Sequence, residues 1–288
     1  MISVFTATYN RAYCLENLYN SLCKQSCLNF EWIVVDDGST DDTENLIQSF
    51  LNEGKISIQY IKQKNQGKHI AFNNGVSHAK GDLFFFVDSD DILTIDAIEF
   101  LQKEFKKIKD NKYYAGISGT RIDKFGNRIG GNINFDVINS NILNLRYKMN
   151  IKGDLAEAYK TKILLQYPFP KIKGEKFCPE SFIWNQISQK YKLRIFNKGI
   201  YICEYLQDGL TAKIVEIRMQ SPITSMMYYS QFFKMKIPLI QKMKAALNFW
   251  RFSFCSSKSF NYKFQLIGIN ALIFLPISYL IHLNDKRK

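Results

Sequence analysis

The sequence predicts an α/β fold organised around a parallel, right-handed sheet. Short apolar runs of strand length alternate with helix-like stretches through about residue 110, the order that right-handed βαβ crossovers produce. Each run also ends in polar residues, and the fourth, FFFVDSDD at 84–91, ends in three carboxylates within four positions. An apolar run of that length, bounded by polar residues, fits a strand buried on both faces. Its acids then lie where the chain leaves the core.

The first strand is read at Ile2 to Thr6, followed by a polar turn and a helical stretch, AYCLENLYNSLCKQ, whose apolar positions are Leu15, Leu18 and Leu22. The second strand, in EWIVVDDGSTDDT, ends in Asp36-Asp37-Gly38, and the helix ENLIQSFLNE follows with Ser39, Thr40 or Asp41 as its cap. ISIQYIKQ is the third strand, and NQGKHIAFNNGVSHAKG holds a helix expected to end near Gly81. DLFFFVDSDD opens the next strand-helix pair, which continues as LTIDAIEFLQKEF. In open α/β sheets, ligands bind beyond the carboxyl ends of the strands where strand order reverses. Thr8-Tyr9-Asn10, Asp36-Asp37-Gly38, Gly67-Lys68 and the acidic cluster at 88–91 all fall at such ends. Four strand ends are therefore expected to converge on one crevice.

Beyond residue 112 the pattern loosens, with glycine-rich turns in GISGTRIDKFGNRIGG and a mixed strand-and-loop region to about residue 212. Trp32 and Phe84-Phe85-Phe86 are read as core. His69 and His78 have no partner at ligand spacing and are read as solvated or capping residues.

The chain has 288 residues, 46% of them hydrophobic and 23% charged, an ordinary globular composition that excludes a disordered protein. Its net charge of +13 is concentrated at one end. Residues 213–288 hold twelve Lys and Arg against Glu216 and Asp285, a net of +10. Such a segment calls for an anionic partner, either nucleic acid or the inner face of a membrane. Its lysines sit among long apolar runs, which suits lipid and argues against nucleic acid. The stretch FQLIGINALIFLPISYLIHL at 264–283 is long enough to span a bilayer, but Gln265, Asn270, Pro276, Ser278 and His282 make it a poor span. It is read as a helix lying in the interface, with a helical hairpin packed on the rest of the chain or on a second subunit as the alternative. The expected domains are 1–212, with halves at 1–110 and 111–212, and a basic helical region at 213–288.

The six cysteines make no CxxC pair and no cluster of zinc spacing, which fits buried or idle thiols in a reducing compartment. No basic n-region precedes the first strand. The expected location is cytoplasmic, peripheral to the inner face of the cytoplasmic membrane.

Three acids as close as Asp88, Asp90 and Asp91 raise one another's pKa unless a positive group is shared between them. A hard divalent cation, Mg2+ or Mn2+, completed by a substrate phosphate would do this. Helix capping accounts for one of these acids, not for all of them.

Taken together, Thr8-Tyr9-Asn10, VVDDGSTDDT at 34–43, GKHIAFNNGVSHAKGD at 67–82 and FVDSDD at 86–91 resemble the family 2 glycosyltransferases, inverting enzymes of the GT-A fold. The likeness is strong over about residues 1–110 and looser over 150–212. It implies a Rossmann-like nucleotide-binding mixed sheet flanked by helices, here with a C-terminal helical membrane-associating extension. It also implies metal-dependent transfer of a sugar from a nucleoside diphosphate sugar, a UDP-sugar in the first instance, to an acceptor hydroxyl on a glycan or lipid-linked oligosaccharide. By the resemblance Thr8, Tyr9, Asn10 and Asp37 hold the nucleoside, Lys68 lies near the pyrophosphate, and Asp88 and Asp90 are the metal-binding pair. The base falls on Glu180 in FCPESFIWNQI, where Pro179-Glu180 replaces the family's acidic pair and a helix-capping role is the alternative. EYLQDGLT at 204–211 resembles the closing loop, with Asp208 and Thr211 as acceptor or diphosphate contacts.

No GxxxxGK[ST] run occurs, which excludes a P-loop hydrolase. TYNRAY stands where a nucleotidyltransferase would carry a glycine-rich loop, and the absence of QxxRW argues against a processive synthase. The reading from a different class is a non-catalytic nucleotide-sugar-binding scaffold in a polysaccharide assembly complex.

Overall fold

The computed structural model describes residues 1–203 and 213–287. The chain divides into two compact units. Of the described residues, 1–168 and 186–203 form the first, and 169–185 and 213–287 form the second.

The first unit begins with β1 (Ile2–Thr8), α1 (Ala12–Cys23), β2 (Phe30–Asp36), α2 (Thr43–Glu53), β3 (Ser57–Lys62), α3 (Lys68–His78) and β4 (Leu83–Phe86). It continues through β5 (Ile92–Leu93), α4 (Ala97–Lys106), β6 (Tyr114–Ile122), β7 (Val137–Ser140), α5 (Ile142–Tyr147), β8 (Leu155–Lys160) and α6 (Thr161–Leu164). After α7 (Ser181–Ser188), which spans the division, β9 (Lys192–Ile202) closes the unit.

Among the described residues the strands form one sheet in the order β3-β2-β1-β4-β8-β6-β9-β5, with β7 also on β9. β3, β2, β1 and β4 run parallel, as the alternation of elements requires. β8 enters antiparallel between β4 and β6 and makes the sheet mixed. Strand order reverses at β1, between β2 and β4, the position beyond whose carboxyl ends open α/β sheets bind their ligands.

Burial explains why these runs are strands. Every residue of β2 and of β4 is buried, as a strand covered on both faces must be. Phe84, Phe85 and Phe86 lie in the core with Trp32, whose indole N–H donates to Thr6 Oγ1 at 3.0 Å. Phe5 stacks on Phe84 at 5.2 Å and meets Phe72 edge-on at 5.6 Å. Each such ring contributes about 1.5–3 kcal/mol by leaving water, so the strand that delivers Asp88 is held rigidly.

Three expected boundaries shift. Helix α2 starts at Thr43 with Asp42 in the N-cap position, while Asp41, one of the three expected caps, accepts from the Thr43 N–H at 3.2 Å, the Thr43 hydroxyl at 2.5 Å and the Ala12 N–H at 3.0 Å. Helix α3 ends at His78, three residues before Gly81. The helix after the acidic cluster begins only at Ala97, with β5 intervening, so none of Ser89, Asp90 and Asp91 caps it.

The second unit holds α8 (Ile214–Gln220), α9 (Pro222–Lys234), α10 (Leu239–Ser253), α11 (Phe260–Ile267), a 3₁₀ segment (Ile269–Phe274) and α12 (Leu275–Asp285). Its core gathers Met226, Ala246, Phe249, Trp250, Ile267 and Ala271. The segment 169–185 is tied to it by Glu175, whose buried carboxylate accepts from the Ile223 and Thr224 N–H groups at 2.6 and 2.8 Å. This fills two orphan donors at the head of α9, where the helix dipole favours negative charge. The stretch 264–283, expected as one interfacial helix, is instead broken at Gly268, and the helices on either side are bent by 111°. The backbone there has φ 94°, a conformation that only glycine adopts at low cost. No single helix among the described residues is long and apolar enough to cross a membrane.

Candidate active site

Two loops at the carboxyl ends of β1 and β2 are interlocked. Asn10 takes φ 52°, which asparagine tolerates better than most residues. Its N–H donates to Ser39 Oγ at 2.9 Å and its side-chain oxygen accepts from the Thr40 N–H at 2.8 Å. Asp41 returns the contact by accepting from Ala12. Asn10 is thereby a scaffold residue of the loop that presents its neighbour Tyr9. The Tyr9 side chain is exposed, whereas Thr8 is buried in the sheet.

Asp36 and Asp37 have different tasks. Asp36 accepts from the Ser39 N–H at 2.7 Å and from the Tyr60 hydroxyl at 2.8 Å, which shapes the turn from within. Asp37 accepts from the Gln66 and Gly67 N–H groups at 2.8 and 2.7 Å and from Gln63 Nε2 at 2.8 Å. Three of its roughly four lone-pair positions are therefore filled by its own chain. Gly67, at φ 94°, delivers that N–H while turning the backbone into α3. The next residue, Lys68, opens the helix and aims its ammonium at the acidic cluster.

There three cations of the first unit meet the carboxylates that were expected to share a divalent cation. Lys68 Nζ lies 2.6 Å from Asp88 Oδ1 and 4.5 Å from the centre of the Phe86 ring. The Arg121 guanidinium approaches Asp88 at 3.6 Å and Asp91 at 3.9 Å, and stacks 4.3 Å above the Tyr201 ring. Arg11 reaches Asp90 at 3.7 Å. The Tyr201 hydroxyl accepts from the Asp88 N–H at 2.9 Å and sits 3.3 Å from Asp88 Oδ2.

The two inner acids respond oppositely. Burial alone would raise Asp88, but Lys68 and Arg121 outweigh it and hold its carboxyl below the usual range. Burial, followed by the nearby charge of Asp88, pushes Asp91 up to about 6. Arg121 is buried against its own charge, yet Tyr201 and Asp88 keep it firmly protonated.

Among the described residues no three His, Cys, Asp or Glu side chains are grouped to hold a metal ion. Asp88 and Asp90 supply hard oxygen donors suited to Mg2+ or Mn2+, and a cation held by two carboxylates fits only if a diphosphate supplies further oxygens. Arg11, Arg121 and Tyr201 are the functional groups that sequence reading did not single out. A charged residue inside the strand stretch GISGTRI was the available signal for Arg121, since a buried guanidinium requires acidic partners.

The structure thus brings Thr8, Tyr9, Asn10, Asp37, Lys68, Asp88 and Asp90 to neighbouring strand ends of the first unit. Glu180 lies in the second unit, immediately before α7, where its carbonyl accepts from the Ile183 N–H at 3.2 Å and the Trp184 N–H at 3.4 Å. Asp208 and Thr211 lie outside the described residues. His69 departs from its expectation, because it is buried in α3, and burial lowers its pKa to about 4. His78 is exposed near the end of the same helix, with Nδ1 2.9 Å from the Asn74 carbonyl oxygen.

Comparison with known proteins follows the same lines. The sequence model of glycosyl transferase family 2 matches residues 3–165. The GalNAc(5)-diNAcBac-PP-undecaprenol beta-1,3-glucosyltransferase of Campylobacter jejuni is 36% identical over 129 residues, covering 44% of this chain and 40% of that protein. Across three curated relatives the match spans 28%, 18% and 40% of their lengths, less than half of each. Residues 1–349 of S. aureus TarS in complex with UDP-GlcNAc superpose with a TM-score of 0.63 at 18% identity, over 96% of this chain and 79% of that one. The mannosyltransferase PcManGT of Pyrobaculum calidifontis, in complex with GDP-Man and Mn2+, gives 0.58 at 16% identity, over 98% and 80%. These structures share the GT-A fold with this chain.

Proposed function

The chain belongs to glycosyl transferase family 2, and from that premise we propose that it transfers a sugar, with inversion, from a nucleoside diphosphate sugar to an acceptor hydroxyl. The observation that supports this reading is the placement of Tyr9, Asp37, Asp88 and Asp90 just beyond the carboxyl ends of β1, β2 and β4, where strand order reverses, with Lys68 at the start of α3 reaching Asp88. The TarS and PcManGT structures were solved with UDP-GlcNAc and with GDP-Man and Mn2+, which supports a nucleotide-sugar donor and a divalent cation here.

In this proposal the base packs on the exposed Tyr9 ring and Asp37 accepts from it, with Gln63 yielding its place on the carboxylate. Lys68, released from Asp88, neutralises the diphosphate, assisted by Arg11. Asp90 and Asp88 would hold the cation, which would supply electrostatic stabilisation to the departing diphosphate. The acceptor oxygen bonds to the anomeric carbon as the bond from that carbon to the diphosphate oxygen breaks. The electron pair leaves with the diphosphate, and the acceptor proton passes to the Glu180 carboxylate. We place the acceptor on a lipid-linked oligosaccharide at the cytoplasmic membrane surface, in keeping with the undecaprenol-linked substrate named for the Campylobacter protein.

The test is release of nucleoside diphosphate from UDP-, GDP- and dTDP-sugars with Mn2+, with Mg2+ and with EDTA. Turnover of one donor, lost in EDTA and reduced about 100-fold or more in Asp90→Ala, is the expected result. Turnover that survives EDTA would assign the leaving-group charge to Lys68, Arg11 and Arg121 instead. Donor binding without turnover under every condition, with unchanged behaviour in Glu180→Gln, would favour the scaffold.

A further inference from the structure

Helix α12 is built inside out. Its buried face is polar: Ser278 and His282 are 0% and 2% exposed, and the Asp285 carboxylate receives Arg251 in a two-pronged ion pair at 2.5 and 2.7 Å. Ser278 Oγ donates to the Phe274 carbonyl at 2.6 Å, and His282 Nδ1 lies 3.8 Å from Cys255 Sγ. The opposite face is apolar and open to solvent. Ile273 is 76% exposed, Ile277 55% and Leu280 66%, at spacings of four and three residues that place them along one side of the helix and its 3₁₀ lead-in. A helix designed for water shows the reverse pattern.

The surroundings identify what covers this face. Lys286 and Arg287 follow directly at its carboxyl end, and the segment from 213 onward carries a net of +10 with Glu216 and Asp285 as its acids. Asp285 is itself consumed by Arg251. A second copy of the chain would bring the same excess of positive charge against this one, whereas an anionic lipid surface complements both the apolar stripe and the lysines. The chain turns by 111° at Gly268, so α12 does not continue the direction of α11, and neither helix is by itself long and apolar enough to cross a bilayer. A short helix with an apolar face outward and basic residues at its end lies in the interface plane.

We infer that the Ile273, Ile277 and Leu280 face of α12 seats on an anionic bilayer surface, with Lys286 and Arg287 at the headgroups. This rests on the membrane-surface part of the proposed function and assigns it a face. The arrangement holds the chain beside a lipid-linked acceptor without spanning the bilayer.

The experiment is co-sedimentation of the full chain with vesicles of phosphatidylcholine alone and of phosphatidylcholine mixed with phosphatidylglycerol. The triple variant Ile273→Glu, Ile277→Glu, Leu280→Glu is compared with Phe125→Glu, a change at a residue of the first unit that is 78% exposed. All four sites are exposed, and circular dichroism and thermal melting check that the fold is kept. The wild type and Phe125→Glu are expected to bind the anionic vesicles, more weakly at high salt, and the triple variant to lose about tenfold or more of that partition. A triple variant that binds like wild type overturns the assigned face while leaving membrane association standing. Failure of the wild type to bind any vesicle overturns both, independently of donor turnover in solution. A dimer that the triple variant dissociates, without vesicle binding, gives the face to a second copy and overturns the inference.

Discussion

The two units of this chain solve opposite problems with the same residue types. In the first, apolar strands vanish into the interior and the charged groups gather at their carboxyl ends, where Arg121 pairs with the half-buried Asp88 and the buried Asp91, and the half-exposed Lys68 pairs with Asp88. In the second, α12 turns Ser278, His282 and Asp285 inward and leaves Ile273, Ile277 and Leu280 outside. The difference teaches that polarity follows the medium each face meets. The first unit exposes its charged groups at one edge of the sheet, and the second exposes an apolar helix face.

The comparison breaks most sharply at Arg121. If protein cations reconcile the acids, Arg121→Met takes a cation from the buried Asp91 and leaves Asp88 to Lys68, and destabilises the protein by about 3 kcal/mol, measured by urea unfolding. The double change Arg121→Met with Asp91→Asn should recover part of that loss. Equal or greater stability in Arg121→Met alone would mean that the acids do not depend on the guanidinium, and the account of a self-neutralised cluster would fail.

How much of this was legible follows from the same contrast. The four strand-helix pairs were readable because a strand buried on both faces has to be continuously apolar, as IVV and FFFV are. The site acids were readable because polar residues ending such runs have few structural reasons to cluster. The partners of those acids were not. Arg121 and Tyr201 reach Asp88 from β6 and β9, 33 and 113 residues away, through strand pairings that no local pattern specifies. The break at Gly268 was hidden by composition, since a mostly apolar stretch of twenty residues reads alike whether straight or bent. Glu175 gave no signal either, because its capping partners lie 48 and 49 residues onward.

A smaller effect sharpens the first half of the comparison. His69 is buried beside the cluster's lysine in sequence, and burial lowers its pKa to about 4 from 6.5. Between those values the unfolded chain holds more protons than the folded one, so stability must fall as pH drops from 6.5 to 4 and be unaffected by this group above 6.5. The contribution is at most about 3.5 kcal/mol, since each tenfold change in proton affinity is worth about 1.4 kcal/mol. In His69→Gln the slope should flatten across that window, so that the wild-type advantage at pH 7.5 narrows at pH 4.5 in denaturant titrations. Parallel curves for the two proteins would mean that His69 is protonated inside the fold, and a buried cation beyond those of the cluster would have to be accounted for.

The smallest effect tests whether the second unit owns the segment 169–185. Glu175 accepts from the first N–H groups of α9 with its two side-chain oxygens, so Glu175→Gln, which keeps one acceptor, should cost less than Glu175→Ala. The latter is expected at about 1–2 kcal/mol, the range for removing a helix cap. The loss should be local. Amide exchange at Ile223 and Thr224 is expected to quicken in Glu175→Ala, while exchange in the buried strand β2, at Val34 for example, keeps its wild-type rate under native conditions. If instead the β2 amides quicken as much as those of α9, opening at the cap is coupled to the sheet, and the contrast drawn between a sheet unit and a helical unit would hold for their polarity but not for their stability.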